Sequence, residues 1–208
     1  MKIAPEGCPF VTVFGLASAG AFFISSLLGS VLILITAFMI FFFRDPERSI
    51  PEGEDIFISP ADGKVIVSET IFDKTVADSS THLISIFMSP LDVHVNRAPC
   101  SGRVLSVKHN PGRFFSAFKA EAFQQNENIT MVLESSMGNI SVRQVAGAIA
   151  RRAVCRVKPG DMLSAGQRYG MIKFSSRVDI YLPADSEIRV KQGDRVTAGE
   201  TILASRGR

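Results

Sequence analysis

The chain has 208 residues, 23 Lys and Arg against 20 Asp and Glu, a formal net charge of +3, and 46% hydrophobic residues. That length suits one domain with an appendage, and the near-balanced charge excludes the strongly basic footprint of a nucleic-acid binder. Three widely spaced cysteines, Cys8, Cys100 and Cys155, form no Cys-x-x-Cys pair and no even disulfide framework, so no metal site is expected.

The appendage comes first. From Cys8 to Phe43 the chain carries no Asp, Glu, Lys or Arg. The run is too long for the core of a secretory signal and reads as a retained membrane segment within residues 1–45. As one helix it would reach roughly 50 Å at about 1.5 Å per residue, against a hydrocarbon core of about 30 Å. It therefore predicts either one span over about Ala21–Phe43 after an interfacial stretch, or two short helices turning near Gly29-Ser30. A polar, turn-forming linker follows from Pro46 to Pro51.

Residues 46–208 read as short strands bounded by Gly, Pro, Asn or Ser. The predicted strands are 56–58, 63–67, 83–88, 102–107, 128–133 and 139–145, with a hairpin at Met137-Gly138. Phe114–Gln125 is the best candidate for a short helix, and Ala148–Arg152 for a shorter turn; Phe114, Phe115 and Phe118 read as core. The motif Val-Lys-x-Gly-Asp-x-x-x-Ala-Gly occurs twice, at Val157–Gly166 and Val190–Gly199. It resembles the hairpins of biotinyl/lipoyl-type barrel-sandwich domains, with 59–65 and 99–104 as partner strands. The fold expected is mostly β, an antiparallel barrel-sandwich behind an N-terminal hydrophobic helical segment.

Ser175 and Ser176 lie between an apolar run and the strand-like Arg177–Leu182. The Ser176 hydroxyl can attack the preceding carbonyl, turning the amide into an ester. Loss of the Ser176 Cα proton then expels that ester, and the dehydroalanine left behind hydrolyses to a pyruvoyl group. This group condenses with amines and withdraws electrons, as a pyridoxal cofactor does elsewhere. The route needs a base. His82, His94 and His109 are the histidines of the chain. His94 lies between two prolines, and Asp62 is a candidate to orient it in a Ser-His-Asp arrangement.

The segments 59–63 (Ser-Pro-Ala-Asp-Gly), 88–99 (Met-Ser-Pro-Leu-Asp-Val-His-Val-Asn-Arg-Ala-Pro), 126–128 (Asn-Glu-Asn), 142–147 and 174–179 occur in that order, after an apolar segment ending Phe-Phe-Arg-Asp-Pro. Together they resemble the short bacterial and archaeal phosphatidylserine decarboxylase proenzymes. The resemblance implies self-cleavage between Ser175 and Ser176, giving a long chain 1–175 and a short chain 176–208 that remain together as a heterodimer, with a dimer of these by analogy. It implies a pyruvoyl cofactor from Ser176 and His94 as general acid/base. The substrate would be phosphatidylserine, converted to phosphatidylethanolamine at the cytoplasmic face of the cell membrane. Arg97, Arg143 and Lys173 are candidates for the lipid phosphate or carboxylate, as are Arg103 and Arg113.

Two departures stand out. The family usually has Gly-Ser at the cut, whereas Ser175 stands here; a left-handed backbone at that position would cost serine about 1–2 kcal/mol. Longer members carry a second histidine where this chain has Arg97. Pyruvoyl-dependent histidine decarboxylases cut between two serines, so the chemistry permits the pair. Two other readings stay open: a membrane-anchored barrel-sandwich adaptor or carrier without enzyme activity, and a degenerate decarboxylase that does not process. Met171-Ile172-Lys173 lacks the Met-Lys pair of a carrier hairpin.

Overall fold

The computed structural model describes residues 2–53, 55–72, 80–113, 125–147, 153–173 and 176–206. The predicted helix 114–125, all but its last residue, and the turn 148–152 lie outside them. The chain divides into two compact units, Met1–Glu47 and Arg48–Arg208.

The first unit contains β1 (Lys2–Ile3), a 3-10 turn at Pro5–Gly7, α1 (Cys8–Ala21), α2 (Ser26–Phe42) and β2 (Arg44–Asp45). It is a helical hairpin whose two ends are tied together. β1 pairs antiparallel with β2, Lys2 opposite Asp45, and Lys2 Nζ meets Glu47 at 2.7 Å. The reversal lies at Phe22–Ser25, earlier than the expected Gly29-Ser30. Ser25 is the extended N-cap of α2, and Gly29 sits inside that helix under the Phe22 ring. A Cβ at Gly29 would collide with that ring, so this glycine permits close packing rather than a turn. The single-span alternative is not formed. No described helix is long and apolar enough to cross a membrane.

Among its described residues, the regular structure of the second unit is almost wholly strand. Its strands are β3 (Ile56–Ile58), β4 (Gly63–Ile71), β5 (Thr81–Met88), β6 (Val95–Arg97), β7 (Gly102–Asn110), β8 (Asn128–Ser135), β9 (Gly138–Ala146), β10 (Ala153–Cys155), β11 (Met162–Leu163), β12 (Arg168–Ile172), β13 (Ser176–Pro183), β14 (Glu187–Ile188), β15 (Arg195–Val196) and β16 (Ile202–Ser205). An eight-stranded sheet runs β11-β7-β8-β9-β13-β5-β4-β15, and two three-stranded sheets run β10-β12-β6 and β14-β16-β3. Every pair of these strands is antiparallel. The hydrophobic core covers one face of the large sheet, through Ile84, Ile86, Met88, Val142, Val178 and Ile180. The predicted hairpin joins β8 to β9, and Gly138 at its turn has φ +109°.

The sequence repeat is a structural repeat. Gly160 N–H donates to the Val104 carbonyl and Val104 N–H to Asp161 O, both at 2.8 Å; Gly193, Val65 and Asp194 repeat this at 2.9 Å. Gly166 N–H donates to Ala98 O as Gly199 N–H does to Ser59 O, both at 2.8 Å. Gly160, Gly166, Gly193 and Gly199 all have positive φ, between 74° and 102°, which the shared glycines allow. The register breaks of β4 (Val65/Val67) and β7 (Val104/Ser106) also coincide between the copies, and such bulges bend both flanks of the sheet.

Candidate active site

Ser176 is the first residue of β13, a strand bonded on both edges. Its partners in register are Met88 of β5 and Ala146 of β9, and it is fully buried. Alternation along the strand turns Ser176, Val178 and Ile180 toward the core, and Arg177, Asp179 and Tyr181 to the other face. The Ser176 hydroxyl donates to the Met88 thioether sulfur at 3.4 Å. On the opposite face Arg177 grips Asp179 in a two-point ion pair, Nε to Oδ1 at 2.8 Å and Nη2 to Oδ2 at 3.0 Å. Ser175 lies outside the described residues.

His94 reaches the same region through a tight turn after β5. The Asp92 carboxylate accepts the Ser89 N–H at 2.8 Å and the Ser89 hydroxyl at 2.7 Å. That turn sends the chain back, and the Ile172 N–H donates to the His94 carbonyl at 3.3 Å. His94 is thereby tied to the last residue of β12, just ahead of the segment leading into Ser176. Its ring is fully buried, with Nδ1 at 2.9 Å from the Asp92 carbonyl oxygen. A carbonyl only accepts, so Nδ1 carries the hydrogen. In the neutral ring Nε2 then holds the lone pair, the form a base requires.

Asp62 has other partners. Its Oδ2 accepts from Arg48 at 2.8 Å and its Oδ1 from the Ala198 N–H at 2.8 Å. The internal repeat explains the second bond, because Ser101 Oγ accepts from the Ala165 N–H at 3.0 Å in the matching turn. Burial raises the Asp62 pKa above its ordinary 3.8, against the pull of the Ala198 bond and Arg48. Asp62 thus fixes the 59–63 turn, and the Pro60 carbonyl of that turn receives the Arg97 N–H at 3.0 Å.

The three substrate candidates separate. Lys173 follows β12 directly and is half-buried. Arg97 is buried and donates to the Gly166 carbonyl at 3.0 Å. Arg143 lies on the sheet face opposite Ser176, where it lines a polar cavity of about 390 Å³ with Lys108, Asn128 and Thr130. Arg103 on β7 and Arg113 beyond it sit on the flank of the sheet. Met171 and Ile172 are core residues of β12, so Met-Ile-Lys is not a carrier-type hairpin tip.

Three residues near Ser176 had no role in the sequence reading: Met88, Asn96 and Gln144. Gln144 was detectable, since it interrupts the apolar face of β9 between Val142 and Ala146. Asn96 and Met88 acquire meaning only from the pairing of β6 and β5 with distant strands.

A family model described as phosphatidylserine decarboxylase matches residues 35–204. The phosphatidylserine decarboxylase proenzyme of Desulfotalea psychrophila is 45% identical over 207 residues, covering 98% of this chain and 96% of the relative. That of Geotalea uraniireducens is 45% identical over 203 residues, with 97% and 95% covered. That of Chlorobaculum tepidum is 40% identical over 215 residues, with 100% and 99% covered. The chain belongs to the phosphatidylserine decarboxylase family.

Proposed function

We propose that this protein is a decarboxylase that converts phosphatidylserine to phosphatidylethanolamine after cutting itself at Ser176. What supports the reading is the setting of Ser176: a buried serine heading a central strand, with His94 tied to the strand that leads into it, in a chain of this family.

Maturation uses the chain's own groups. Ser176 Oγ attacks the Ser175 carbonyl carbon, the C–N bond breaks, and an ester and a free Ser176 amine result. His94 Nε2 takes the Ser176 Cα proton, the Cβ–O bond breaks, and Ser175 leaves as a carboxylate. The dehydroalanine takes up one water and releases ammonia, which leaves a pyruvoyl group on the short chain 176–208. Asp62 acts on this centre through the 59–63 turn that carries β6, rather than by contact with the imidazole. The position suits such a group. The hydroxyl's partner among the described residues is a thioether, a weak acceptor, so losing the hydroxyl as Cβ becomes the pyruvoyl methyl strands no strong hydrogen-bonding group.

Once formed, the pyruvoyl group supplies an electron sink for the substrate amine's carbon as carbon dioxide departs. His94 holds its Nδ1 hydrogen on the Asp92 carbonyl and exchanges a proton at Nε2. Lys173, which directly follows β12 and precedes the cut by two residues, is the cation proposed to meet the lipid's carboxylate or phosphate; Arg97 is buried on the Gly166 carbonyl and Arg143 lies on the sheet face opposite Ser176. The mature protein is a heterodimer of chains 1–175 and 176–208, assembled as a dimer of such pairs.

The paired repeats, each a turn–strand unit bonded to its counterpart strand, favour a barrel-sandwich of the biotinyl/lipoyl type. The hairpin is the membrane anchor. Phe23 is 93% exposed, Ile24 82% and Leu27 75%, all at or next to its reversal. The helices reach about 21 and 25 Å at about 1.5 Å per residue, short of a bilayer core of about 30 Å. The hairpin therefore enters and leaves by one leaflet, and the resemblance to the family makes that the cytoplasmic leaflet of the cell membrane. Incubation with carboxyl-labelled phosphatidylserine in vesicles tests the activity. Labelled carbon dioxide and phosphatidylethanolamine are expected, at least a hundredfold less with His94→Ala; no release by processed native protein would refute the reading.

A further inference from the structure

Gln144 occupies a core position on β9 and is 1% exposed. Its amide nitrogen donates to Asn96 Oδ1 at 2.8 Å and to the Val154 carbonyl at 3.4 Å. Two oxygens on that side fix the amide's orientation, because a flipped amide would set Oε1 against both. Asn96 is held in turn: its Nδ2 reaches the Pro60 carbonyl at 3.5 Å and the Met88 sulfur at 3.8 Å. Gln144 Oε1 therefore faces the other way, and it is buried without a hydrogen-bond donor among the described residues. A buried acceptor in that state is costly, and native cores rarely keep one without a use.

The unused acceptor belongs to the neighbourhood of Ser176. On the face of the sheet that carries Ser176, Ala146 is its direct partner on β9 and Gln144 the next residue along, opposite Val178. Such diagonal neighbours lie about 7 Å apart. The two are also joined through side chains. Ser176 Oγ and Asn96 Nδ2 share the Met88 sulfur, and Asn96 Oδ1 receives the Gln144 amide.

We propose that Gln144 Oε1 accepts an N–H from the primary amine of the aminophospholipid at the Ser176 site, with Asn96 fixing the amide that offers it. The proposal rests on the decarboxylase reading of Ser176. One N–H placed on a fixed oxygen aims the nitrogen lone pair. A neutral amide oxygen also repels a carboxylate, so it sorts the two ends of a serine headgroup. A lipid whose nitrogen bears no hydrogen gains nothing from this oxygen.

The test is equilibrium binding of processed protein to mixed micelles containing phosphatidylethanolamine or phosphatidylcholine, the second lacking any N–H. Native protein should prefer the amine lipid. Gln144→Met should yield the short chain by intact mass yet lose that preference about tenfold, the worth of one such hydrogen bond. Gln144→Glu, which keeps an acceptor, should retain most of it. A Gln144→Met protein that matures and keeps the native ratio would overturn the proposal, as would a native protein that binds both lipids equally. If Gln144→Met does not fold, loss of the preference in folded Gln144→Glu overturns it, and failure of both to fold assigns Gln144 to the core alone and does the same. A native chain that forms no short chain overturns the decarboxylase reading itself, and this proposal with it.

Discussion

Asp62 is the residue whose surroundings most change its meaning. In sequence it stands beside a glycine within a short motif and invites a direct role on His94. In the structure it performs for one repeat what Ser101 performs for the other, accepting a backbone N–H across a turn. It also carries the Arg48 guanidinium. Burial holds its pKa above 3.8, so the folded protein binds its proton more tightly than the unfolded chain does. The sign follows: the stabilising contribution is complete below pH 3.8 and is lost as pH rises through the folded-state pKa. Asp62→Asn, which keeps the acceptor without the charge, should gain in melting temperature relative to native protein between about pH 4 and pH 7. A relative gain for native protein over that range would show that the Arg48 pair outweighs burial.

Among the elements, β13 ties the site to the fold. Its alternation presents Ser176 to the core and the Arg177–Asp179 pair to the other face, so one strand both displays the proposed nucleophile and anchors it. Both members of that pair are buried, and removing one leaves the other's charge without its two-point partner. Asp179→Ala should cost about 3–5 kcal/mol of unfolding free energy. Denaturant unfolding of a processing-blocked background measures it, and a loss below about 1 kcal/mol, the range of an exposed pair, would contradict the buried setting. Much of this was legible beforehand. The strands 56–58, 83–88, 102–107 and 128–133 fall within observed strands, because β-rich runs closed by Gly, Pro or Asn determine local structure. The turn at Gly29-Ser30 was misplaced, because a helical glycine packed under an aromatic ring looks in sequence like a breaker. The contacts of Asp62, Met88 and Asn96 depend on pairings between segments far apart in the chain, which local patterns do not encode.

For the whole molecule, the proposed membrane association rests on apolar burial rather than on charge. A charge of +3 spread over 208 residues gives little pull toward an anionic surface. The uncharged run from Cys8 to Phe43 gives far more through apolar burial. Co-sedimentation with vesicles should therefore survive about 1 M salt, where the screening length is about 3 Å, and should fall on Phe23→Asp with Ile24→Asp. Release by salt alone would mean that charge rather than insertion holds the protein.

The proposed self-cleavage at Ser176 connects the buried serine, the histidine tied ahead of it and the family's chemistry, and it is the step on which Ser175 in place of glycine bears most. Intact-mass analysis of purified protein tests it. Native protein should give two chains, residues 1–175 and 176–208, the shorter blocked to N-terminal degradation and lighter by the ammonia lost, while Ser176→Ala remains a single chain. A native protein that stays whole after long incubation, or a Ser176→Ala variant that is cut like native, would contradict the account.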